Sequence, residues 1–352
     1  MDFVLSPDFG STEAHLPRFP RKGRRGKEAQ KANLPPQRNP ETAVSAANLR
    51  PRLSSGRGFA ELNENDQATI TYHWTELNLM THTVAEKRAA FRTLHHQGCF
   101  VLPNPWDAGS ARILQHLGFV ALASTSSGYA WTKGQPDYAV TCTEVLQHLA
   151  SLCEAVDLPV NADFESGFAA DPEGVATNVG LAIKTGVAGL SIEDREIEAP
   201  YGLYDKSFAV NRIRAAREAI DRSGENVILV ARTEGLLSDP GAINPAIDKL
   251  VAFAEAGADC LYAPGVREKA AIATLVRAVA PKPLNVLMMG PGLSVAELAD
   301  LGVRRISVGG ALARIIWAAL LSAAQQLKGG SFDGLAGGIP GQQLNEIFGS
   351  FV

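Results

Sequence analysis

Short apolar runs alternate with helical patterns along most of this sequence, and this alternation limits the folds it can adopt. The runs are continuously apolar, which is typical of strands buried on both faces of a parallel sheet. They are Cys99–Pro103, Val120–Ser124, Pro159–Asp163, Gly189–Glu193, Val227–Thr233, Cys260–Ala263, Leu284–Met288 and Arg305–Gly309. Helical patterns such as Thr143–Val156, Pro172–Thr185, Val210–Arg222 and Ile243–Ala256 lie between them. Eight strands, each followed by a helix, predict an α/β fold of the (β/α)8 TIM barrel type.

A doubly wound open sheet is the alternative arrangement of the same elements. Its dinucleotide-binding form carries a G-x-G-x-x-G turn after the first strand. The first run here is followed by Asn104-Pro105-Trp106-Asp107 instead, so the barrel is favoured.

Residues 1–80 differ in composition from the rest of the chain. They are rich in Pro, Arg, Asn and Ser, contain the basic cluster Arg21–Lys27, and show no helical or strand periodicity. Such a segment cannot bury enough apolar surface to fold. We therefore expect a disordered basic extension over residues 1–80, and a barrel with C-terminal helices over residues 81–352. Met80, just before the helical pattern Thr83–His96, is a candidate for the true first residue.

Charge and cysteine usage exclude several classes of partner. The net charge of −4 argues against a general nucleic-acid binder. No apolar run approaches the roughly 20 residues of a membrane span. The four cysteines lack metal-knuckle spacing, which predicts a reducing cytoplasm as the compartment.

Carboxylates crowd the predicted ends of the third and fourth strands, where a barrel places its active groups. Asp163 and Glu165 are two residues apart, so strand alternation would point both to one side. Two like charges there repel each other unless a cation lies between them. The alternative is that one carboxylate caps the next helix and the other is solvated.

The available donors favour a hard cation. No histidine follows His148 and no cysteine ends a strand, so a zinc site is not expected. The oxygens of Asp163, Glu165 and Glu193 suit Mg²⁺ or Mn²⁺. The end of the fifth strand offers Arg232 at the level of these carboxylates. Together with Arg232, such a metal suits an anionic substrate whose carbonyl it would polarise.

Two loops offer further binding groups. The small residues of Ser124–Gly128 let backbone N–H groups approach a carboxylate, although an ordinary tight turn is the alternative. Gly290-Pro291-Gly292 and Gly309-Gly310 follow the last two strands, where many barrels bind phosphate. Here too the alternative is that the glycines only make tight turns.

The order of the strand-end motifs resembles the isocitrate lyase / phosphoenolpyruvate mutase superfamily. The motifs are N-P-W-D-A-G-S-A-R, S-T-S-S-G, Pro136-Asp137, N-A-D-F-E-S-G-F, S-I-E-D and A-R-T-E, spread from about Ala85 to Ala324. The resemblance implies a Mg²⁺-dependent barrel that makes or breaks C–C or P–C bonds beside a 2-oxo acid. It also implies a homo-oligomer, a dimer or a tetramer.

The resemblance further assigns roles to individual residues. It implies a metal site formed by Asp137, Asp163 and Glu165, with Glu193 holding metal-bound water. It implies a substrate site that contains the carboxylate-binding loop residues Ser124, Thr125 and Ser126, together with Arg232 and Asn285.

The chain departs from the characterised branches in residues 195–206. The resemblance implies that these residues form a lid, a loop that closes over the substrate. The lyases carry a K-K/R-C-G-H loop soon after the E-D motif, but residues 195–206 contain no Cys or His. The mutase-type loop is also absent, and strand six ends in Ala263-Pro264-Gly265 where the lyases have a glutamate. These departures favour a mutase-like branch and argue against isocitrate lyase, methylisocitrate lyase and mutase activity. In the lid, Tyr201, Tyr204 and Lys206 are the candidate catalytic acids, with an incidental surface loop as the alternative.

The leading hypothesis is a lyase or decarboxylase that uses Mg²⁺ or Mn²⁺ to stabilise an enolate. Its substrate would be a small 2-oxo or 2-hydroxy acid, and decarboxylation needs no protein nucleophile. The alternatives are a phosphonopyruvate or oxaloacetate hydrolase, a phosphoenolpyruvate phosphomutase-like enzyme, a phosphate-binding barrel, and a non-catalytic barrel that binds oxo acids.

Overall fold

The computed structural model describes residues 82–197, 199 and 202–351. The expected extension, residues 1–80, lies outside the described residues, as does Tyr201. The strands are β1 Phe100–Leu102, β2 Leu122–Ala123, β3 Val160–Asp163, β4 Gly189–Glu193, β5 Ile228–Arg232, β6 Cys260–Tyr262, β7 Leu284–Leu287 and β8 Arg305–Ser307. No helix in the described part of the chain is long and apolar enough to span a bilayer.

The helices follow the strands in the predicted alternation. They are α1 Val84–Leu94, α2 Ala108–His116, α3 Ser126–Thr132, α4 Cys142–Ala155, α5 Pro172–Lys184, α6 Lys206–Ser223, α7 Gly235–Ser238, α8 Ile243–Glu255, α9 Lys269–Val279, α10 Val295–Asp300, α11 Ala311–Lys328 and α12 Gly341–Gly349. A short 3₁₀ turn, Asp333–Leu335, lies between α11 and α12.

All the strand pairs are parallel, and their order around the sheet is β1-β8-β7-β6-β5-β4-β3-β2. The ring closes between β1 and β2, where the Ala123 N–H donates to the Pro103 carbonyl at 3.0 Å. Asn104 strengthens this seam, because its side-chain amide donates to the Ser124 carbonyl at 2.9 Å. The predicted (β/α)8 barrel is confirmed.

Local sequence explains where several helices begin. The Thr141 hydroxyl accepts the Glu144 N–H while the Glu144 carboxylate accepts the Thr141 N–H, a capping box that starts α4. Ser294 and Glu297 start α10 in the same way. Each box satisfies backbone donors that have no partner inside the helix.

The core has two layers, because successive strand residues point to opposite sides. Inside the barrel, Ile228 and Val230 pack in one cluster with Phe91 of α1. Outside, Leu229 and Ala231 pack against the helices. Phe91 is fully buried, and burying a side chain of this size contributes roughly 2–3 kcal/mol. The same alternation aims the side chains at the ends of β4 and β5 into the barrel.

Candidate functional site

Four inward-facing side chains lie side by side at the ends of β4 to β7. The strand register pairs Glu193 with Arg232, Arg232 with Tyr262, and Tyr262 with Asn285. The expectation that Arg232 stands level with the carboxylates of neighbouring strands is confirmed. The C-terminal mouth of the barrel therefore carries one continuous polar row.

Arg232 is a largely buried cation shared among carboxylates. Its guanidinium lies 3.5 Å from Asp163 Oδ1 and 3.4 Å from Glu193 Oε2, and its Nε also donates to Glu234 Oε1. Burial alone would lower the pKa of Arg232, but the neighbouring carboxylates raise it well above its ordinary value. Arg232 therefore keeps its charge and is held in one orientation.

The loop after β2 orients Asp163. The Asp163 N–H donates to the Ser124 hydroxyl at 2.8 Å, and Asp163 Oδ2 accepts the Ser126 N–H at 2.9 Å. Thr125 is buried, and its hydroxyl caps α3 by accepting the Gly128 N–H. In this structure Ser124 and Ser126 position Asp163, and the contact of Ser124, Thr125 and Ser126 with a substrate carboxylate stays a prediction.

Glu165 reaches the carboxylate cluster by a different route from the one expected. Strand β3 ends at Asp163, and Glu165 has a φ of 47°, a left-handed conformation in the following turn. The interpretation that strand alternation places both carboxylates was therefore wrong. The turn supplies the second one, while Phe164 between them packs into the outer core.

Neither Asp163 nor Glu165 caps the next helix. Helix α5 begins at Pro172, and its cap is Asp171, whose side chain accepts the Gly174 N–H at 2.8 Å. The alternative of a helix-capping carboxylate is therefore wrong, and both groups remain available at the barrel mouth.

The cluster is short of positive charge. Glu165 Oε1 and Glu193 Oε1 are buried and accept no hydrogen bond from the described residues. Burial, reinforced by the charges of Asp163 and Glu193, raises the pKa of Glu165 to about 9. Burial also raises the pKa of Glu193, with Arg232 acting in the opposite direction. Carboxyl groups with such pKa values resist ionising together unless a cation joins them.

Asp137 lies at the edge of this cluster and remains exposed to solvent on one side. Partial desolvation and the nearby charge of Asp163 raise its pKa. Asp137 therefore belongs to the same electrostatic unit as Asp163 and Glu165.

These carboxylates do not form a ready-made cage. Within the described ranges, no three His, Cys, Asp or Glu side chains are grouped closely enough to enclose a metal ion. Mg²⁺, however, is commonly held by only one or two carboxylates and keeps several waters. The orphaned oxygens of Glu165 and Glu193, with their raised pKa values, fit such a cation.

Asp194, the second acid of the S-I-E-D motif, has a structural role. Its carboxylate accepts the Thr233 hydroxyl at 2.8 Å, the Glu234 N–H at 2.9 Å and the Lys249 ammonium at 2.7 Å. These contacts tie the ends of β4 and β5 to α8. Adjacent acids of one motif therefore have different surroundings: Asp194 joins secondary-structure elements, whereas Glu193 faces the carboxylate cluster.

Asn285 is buried, and both polar atoms of its side chain are hydrogen-bonded to neighbours. Its Nδ2 donates to the Ser307 hydroxyl at 2.9 Å, and its Oδ1 accepts from Arg305 Nε at 3.0 Å.

The phosphate-binding alternative finds less support at β8, because Asn104 already accepts the N–H groups of Val308 and Gly309.

Two of the lid candidates, Lys206 and Tyr204, contact groups outside the carboxylate cluster. Lys206 is exposed at the start of α6 and forms an ion pair with Asp248 at 2.8 Å. Tyr204 packs beside Phe208 and beneath the Arg212 guanidinium, against the outer core. The structure therefore does not bring Lys206 or Tyr204 to the carboxylate cluster.

Two tyrosines at the site escaped the sequence reasoning. Tyr262 ends β6 and lies under the Arg232 guanidinium at 5.1 Å, and the strand end itself was a signal that could have found it. Tyr138 follows Asp137, and burial together with the nearby charge of Glu193 raises the pKa of its hydroxyl. No periodicity marks Tyr138, because it sits in a turn.

Comparison with known proteins identifies the family. A family model described as phosphoenolpyruvate phosphomutase matches residues 91–328, well over half of the chain. The chain belongs to the phosphoenolpyruvate phosphomutase family. The resemblance inferred from the motif order is thereby confirmed.

Three relatives of this family member illustrate the chemistry around it. A candidate lyase/mutase from Burkholderia cenocepacia J2315 is 45% identical, with a TM-score of 0.73 over 76% of this chain and 97% of that one. Oxaloacetate decarboxylase of Pseudomonas aeruginosa (strain PAO1) is 32% identical over 228 residues, 62% of this chain and 77% of the relative. Oxaloacetate acetylhydrolase bound to its product oxalate is 27% identical, with a TM-score of 0.68 over 76% of this chain and 94% of that one.

The family and these relatives make the chain a lyase- or mutase-type enzyme that cleaves C–C or P–C bonds. Enzymes of this family act on small oxo acids and generally depend on a divalent metal.

Proposed function

We propose that the chain is a Mg²⁺- or Mn²⁺-dependent decarboxylase-type lyase for a small, oxaloacetate-like 2-oxo dicarboxylate. The observation that carries this proposal is a pair of buried oxygens beside Asp163, on Glu165 and Glu193, that have no partner within the described part of the chain. One guanidinium, that of Arg232, does not balance these charges. A divalent cation would do so.

In this proposal, Asp163 and Glu165 hold the metal with Asp137 beside it, and Glu193 holds metal-bound water. Hard carboxylate oxygens are the donors that Mg²⁺ and Mn²⁺ prefer. When bound, the metal supplies a Lewis acid for the 2-oxo group and offsets the negative charge that develops during bond cleavage.

The protein side chains position the substrate. Arg232 is fixed by Glu193 and Glu234, so its guanidinium is oriented before a substrate arrives. Such preorganisation removes an entropic cost from the reaction. We assign a substrate carboxylate to Arg232 and to the loop Ser124, Thr125 and Ser126, and a further substrate contact to Asn285.

Decarboxylation is consistent with the absence of Cys and His from the lid, residues 195–206. The C3–C4 bond breaks, CO₂ leaves, the electron pair remains on the enolate, and a proton is then added at C3. This sequence uses no nucleophile, consistent with a lid region free of Cys and His. Of the three lid acids, Tyr204 and Lys206 have other contacts, so the proposal favours Tyr201 or solvent as the proton source.

The proposal extends to a reducing cytoplasm and a homo-oligomer. The four cysteines are free thiols, which agrees with a reducing compartment.

Helix α11 exposes large apolar side chains, including Ile316 and Leu320, which a second copy of the chain would cover.

Product analysis tests the proposal. The full-length protein is incubated with oxaloacetate and Mg²⁺ or Mn²⁺, with the Asp163→Ala variant as the control for decarboxylation by free metal. Pyruvate and CO₂ formed faster than in the control support the proposal, whereas oxalate and acetate indicate the hydrolase alternative. Binding of oxalate without turnover of any 2-oxo acid indicates the non-catalytic alternative. If 2-oxo acids neither bind nor react, the proposal is wrong.

A further inference from the structure

The segment between β3 and α5 contains a turn of unfavourable backbone conformation, residues 164–170, which we call the β3 turn. Glu165 and Phe168 in this turn have φ values of 47° and 54°, in the left-handed region that residues with a side chain disfavour. A backbone of this kind persists where its surroundings fix it. The contacts that fix the β3 turn therefore also decide where the Glu165 carboxylate lies.

Asn178 of α5 holds the middle of the β3 turn. Its Nδ2 donates to the Gly167 carbonyl at 2.9 Å and to the Phe168 carbonyl at 3.2 Å. One partly buried side chain thus satisfies two successive carbonyls that no helix or strand ladder reaches.

Arg212 of α6 holds both ends of the same turn. Its side chain is fully buried, and its guanidinium donates to the Ser166 carbonyl. It also donates to the Ala169 carbonyl at 2.7 Å and to the Ala170 carbonyl at 3.0 Å. Together with Asn178, it gives every carbonyl from Ser166 to Ala170 a side-chain hydrogen bond.

The Arg212 guanidinium also joins the β3 turn to the end of β4. Its fourth contact is the Glu193 carbonyl, to which Nη1 donates at 3.3 Å. The Glu193 N–H in turn donates to the Glu165 carbonyl at 3.0 Å. These bonds fix the backbones of the two residues whose buried carboxylate oxygens lack a partner among the described residues.

We propose that Arg212 and Asn178 are positioning residues that hold the β3 turn in the conformation that brings Glu165 to Glu193, and so set the affinity of this pair for a divalent cation. The assignment deepens the proposed function and rests on it for the cation. The hydrogen bonds that hold the turn do not depend on the reaction catalysed.

Two variants of the full-length chain weaken the hold on the turn from different helices. Arg212→Lys keeps the positive charge but loses the planar fork that reaches several carbonyls at once. Asn178→Ala removes the two hydrogen bonds of a partly buried side chain, so it decides the proposal if Arg212→Lys does not fold.

Each variant has a matched control on its own helix. Ile220→Val shortens a fully buried side chain about two turns further along α6, and it lowers stability without touching the β3 turn. Thr177→Ala changes an exposed neighbour of Asn178 on α5. Thermal melts establish that each protein is folded and measure its loss of stability.

Amide hydrogen exchange without metal reads out the turn itself. The Gly167 N–H donates to the Phe164 carbonyl at 2.8 Å, so exchange in a peptide covering residues 164–170 reports the opening of the turn. We expect exchange about tenfold faster in Asn178→Ala and in Arg212→Lys, because hydrogen bonds to the turn are lost. Both controls should exchange at the wild-type rate. A wild-type rate in a folded Asn178→Ala protein would overturn the proposal.

Calorimetry with Mn²⁺ alone reads out the consequence for the carboxylates. Groups that orient metal-holding side chains typically change metal affinity by 10–100-fold, so Arg212→Lys and Asn178→Ala should each bind Mn²⁺ about tenfold more weakly than wild type. Both controls should bind normally, including Ile220→Val with its lowered melting temperature.

The two measurements together separate positioning from a purely structural role. Faster exchange with wild-type Mn²⁺ affinity would assign Arg212 and Asn178 to stability alone and overturn the proposal. A wild-type chain that binds no Mn²⁺ would overturn the proposed function and, with it, the link to a cation. The exchange rates would still decide whether these side chains hold the turn.

Discussion

Glu193 and Arg232 are register partners at the ends of neighbouring strands, and Arg232 Nε lies 3.4 Å from Glu193 Oε2. The pairing leaves the other Glu193 oxygen buried and without a hydrogen-bond partner among the residues that the structure describes. The same guanidinium also faces Asp163 and Glu234, so one positive charge is divided among three carboxylates. The remaining negative charge makes the site responsive to metal and to pH.

Replacing Asp163 should remove metal-dependent ligand binding. In Asp163→Ala we expect Mg²⁺-dependent oxalate binding to weaken by more than about 100-fold, because the loop after β2 then has no carboxylate to position. Calorimetry with oxalate and Mg²⁺ measures the effect. Asp300→Ala, an exposed carboxylate at the end of α10, is the control. Unchanged oxalate binding in a folded Asp163→Ala protein would show that Asp163 is not part of the metal site.

Stability of the metal-free protein should fall as the pH rises. Burial and the neighbouring carboxylates raise the pKa of Glu165 from 4.5 to about 9. Between these values the folded state holds a proton that the unfolded chain has lost, so raising the pH favours unfolding. Mg²⁺ binds the ionised form, and its apparent affinity should rise by up to about tenfold per pH unit in this window.

Thermal melts across that pH window, with and without Mg²⁺, test the linkage. Glu165→Gln should flatten the pH dependence of the metal-free melting temperature, because the titrating group is gone. A Glu165→Gln protein whose melting temperature falls with pH as steeply as wild type would assign the dependence to other groups.

The lid variants should differ in their effect on turnover. Lys206→Ala should keep kcat within about twofold, because an exposed ion pair with Asp248 contributes little. Tyr204→Phe should also keep it, since the hydrogen bond that the Tyr204 hydroxyl makes within the described residues is a long one, 3.5 Å, which it accepts from the Ile197 N–H. Loss of a general acid typically costs 10²–10⁴-fold, so Tyr201→Phe should show a drop of about that size if the lid supplies the proton. Wild-type kcat in all three variants would mean that solvent protonates the enolate.

Charge on α11 should break the proposed homo-oligomer. Ile316 and Leu320 lie one turn apart on this helix and are 55% and 54% exposed. Ile316→Glu combined with Leu320→Glu should reduce the molar mass measured by light scattering to that of one chain. Gln325→Glu adds charge elsewhere on the same helix and should leave the mass unchanged. A wild-type chain that is already monomeric would contradict the proposed oligomer.

The N-terminal segment should be dispensable for stability. A chain that starts at Met80 keeps α1, whose Phe91 packs inside the barrel. Its melting temperature should match that of the full chain within about 2 °C, since a 1 kcal/mol effect would already shift a protein of this size by roughly 2–4 °C. A larger decrease would show that residues 1–79 contribute to the folded barrel.

The strand pattern and the polar strand ends were sufficient to predict the barrel. A continuous apolar run such as Val227–Ala231 is typical of a strand in a sheet covered on both faces, which makes this a property of local sequence. The same pattern predicted that Arg232 lies at the same height in the barrel as the carboxylates of the neighbouring strands, as its pairing with Glu193 shows. The departures in the lid region were also visible in the residues alone.

Tertiary structure decided which polar groups meet. Glu165 joins the cluster through a turn residue in the left-handed conformation. Asp194 forms an ion pair with Lys249, and Lys206 forms one with Asp248. Tyr138 and Arg195, 57 positions apart in the numbering, stack only because the barrel brings their two loops together. The physical reason is that periodicity determines the face on which a strand residue lies, whereas turn conformation and long-range packing determine the contacts of loop residues.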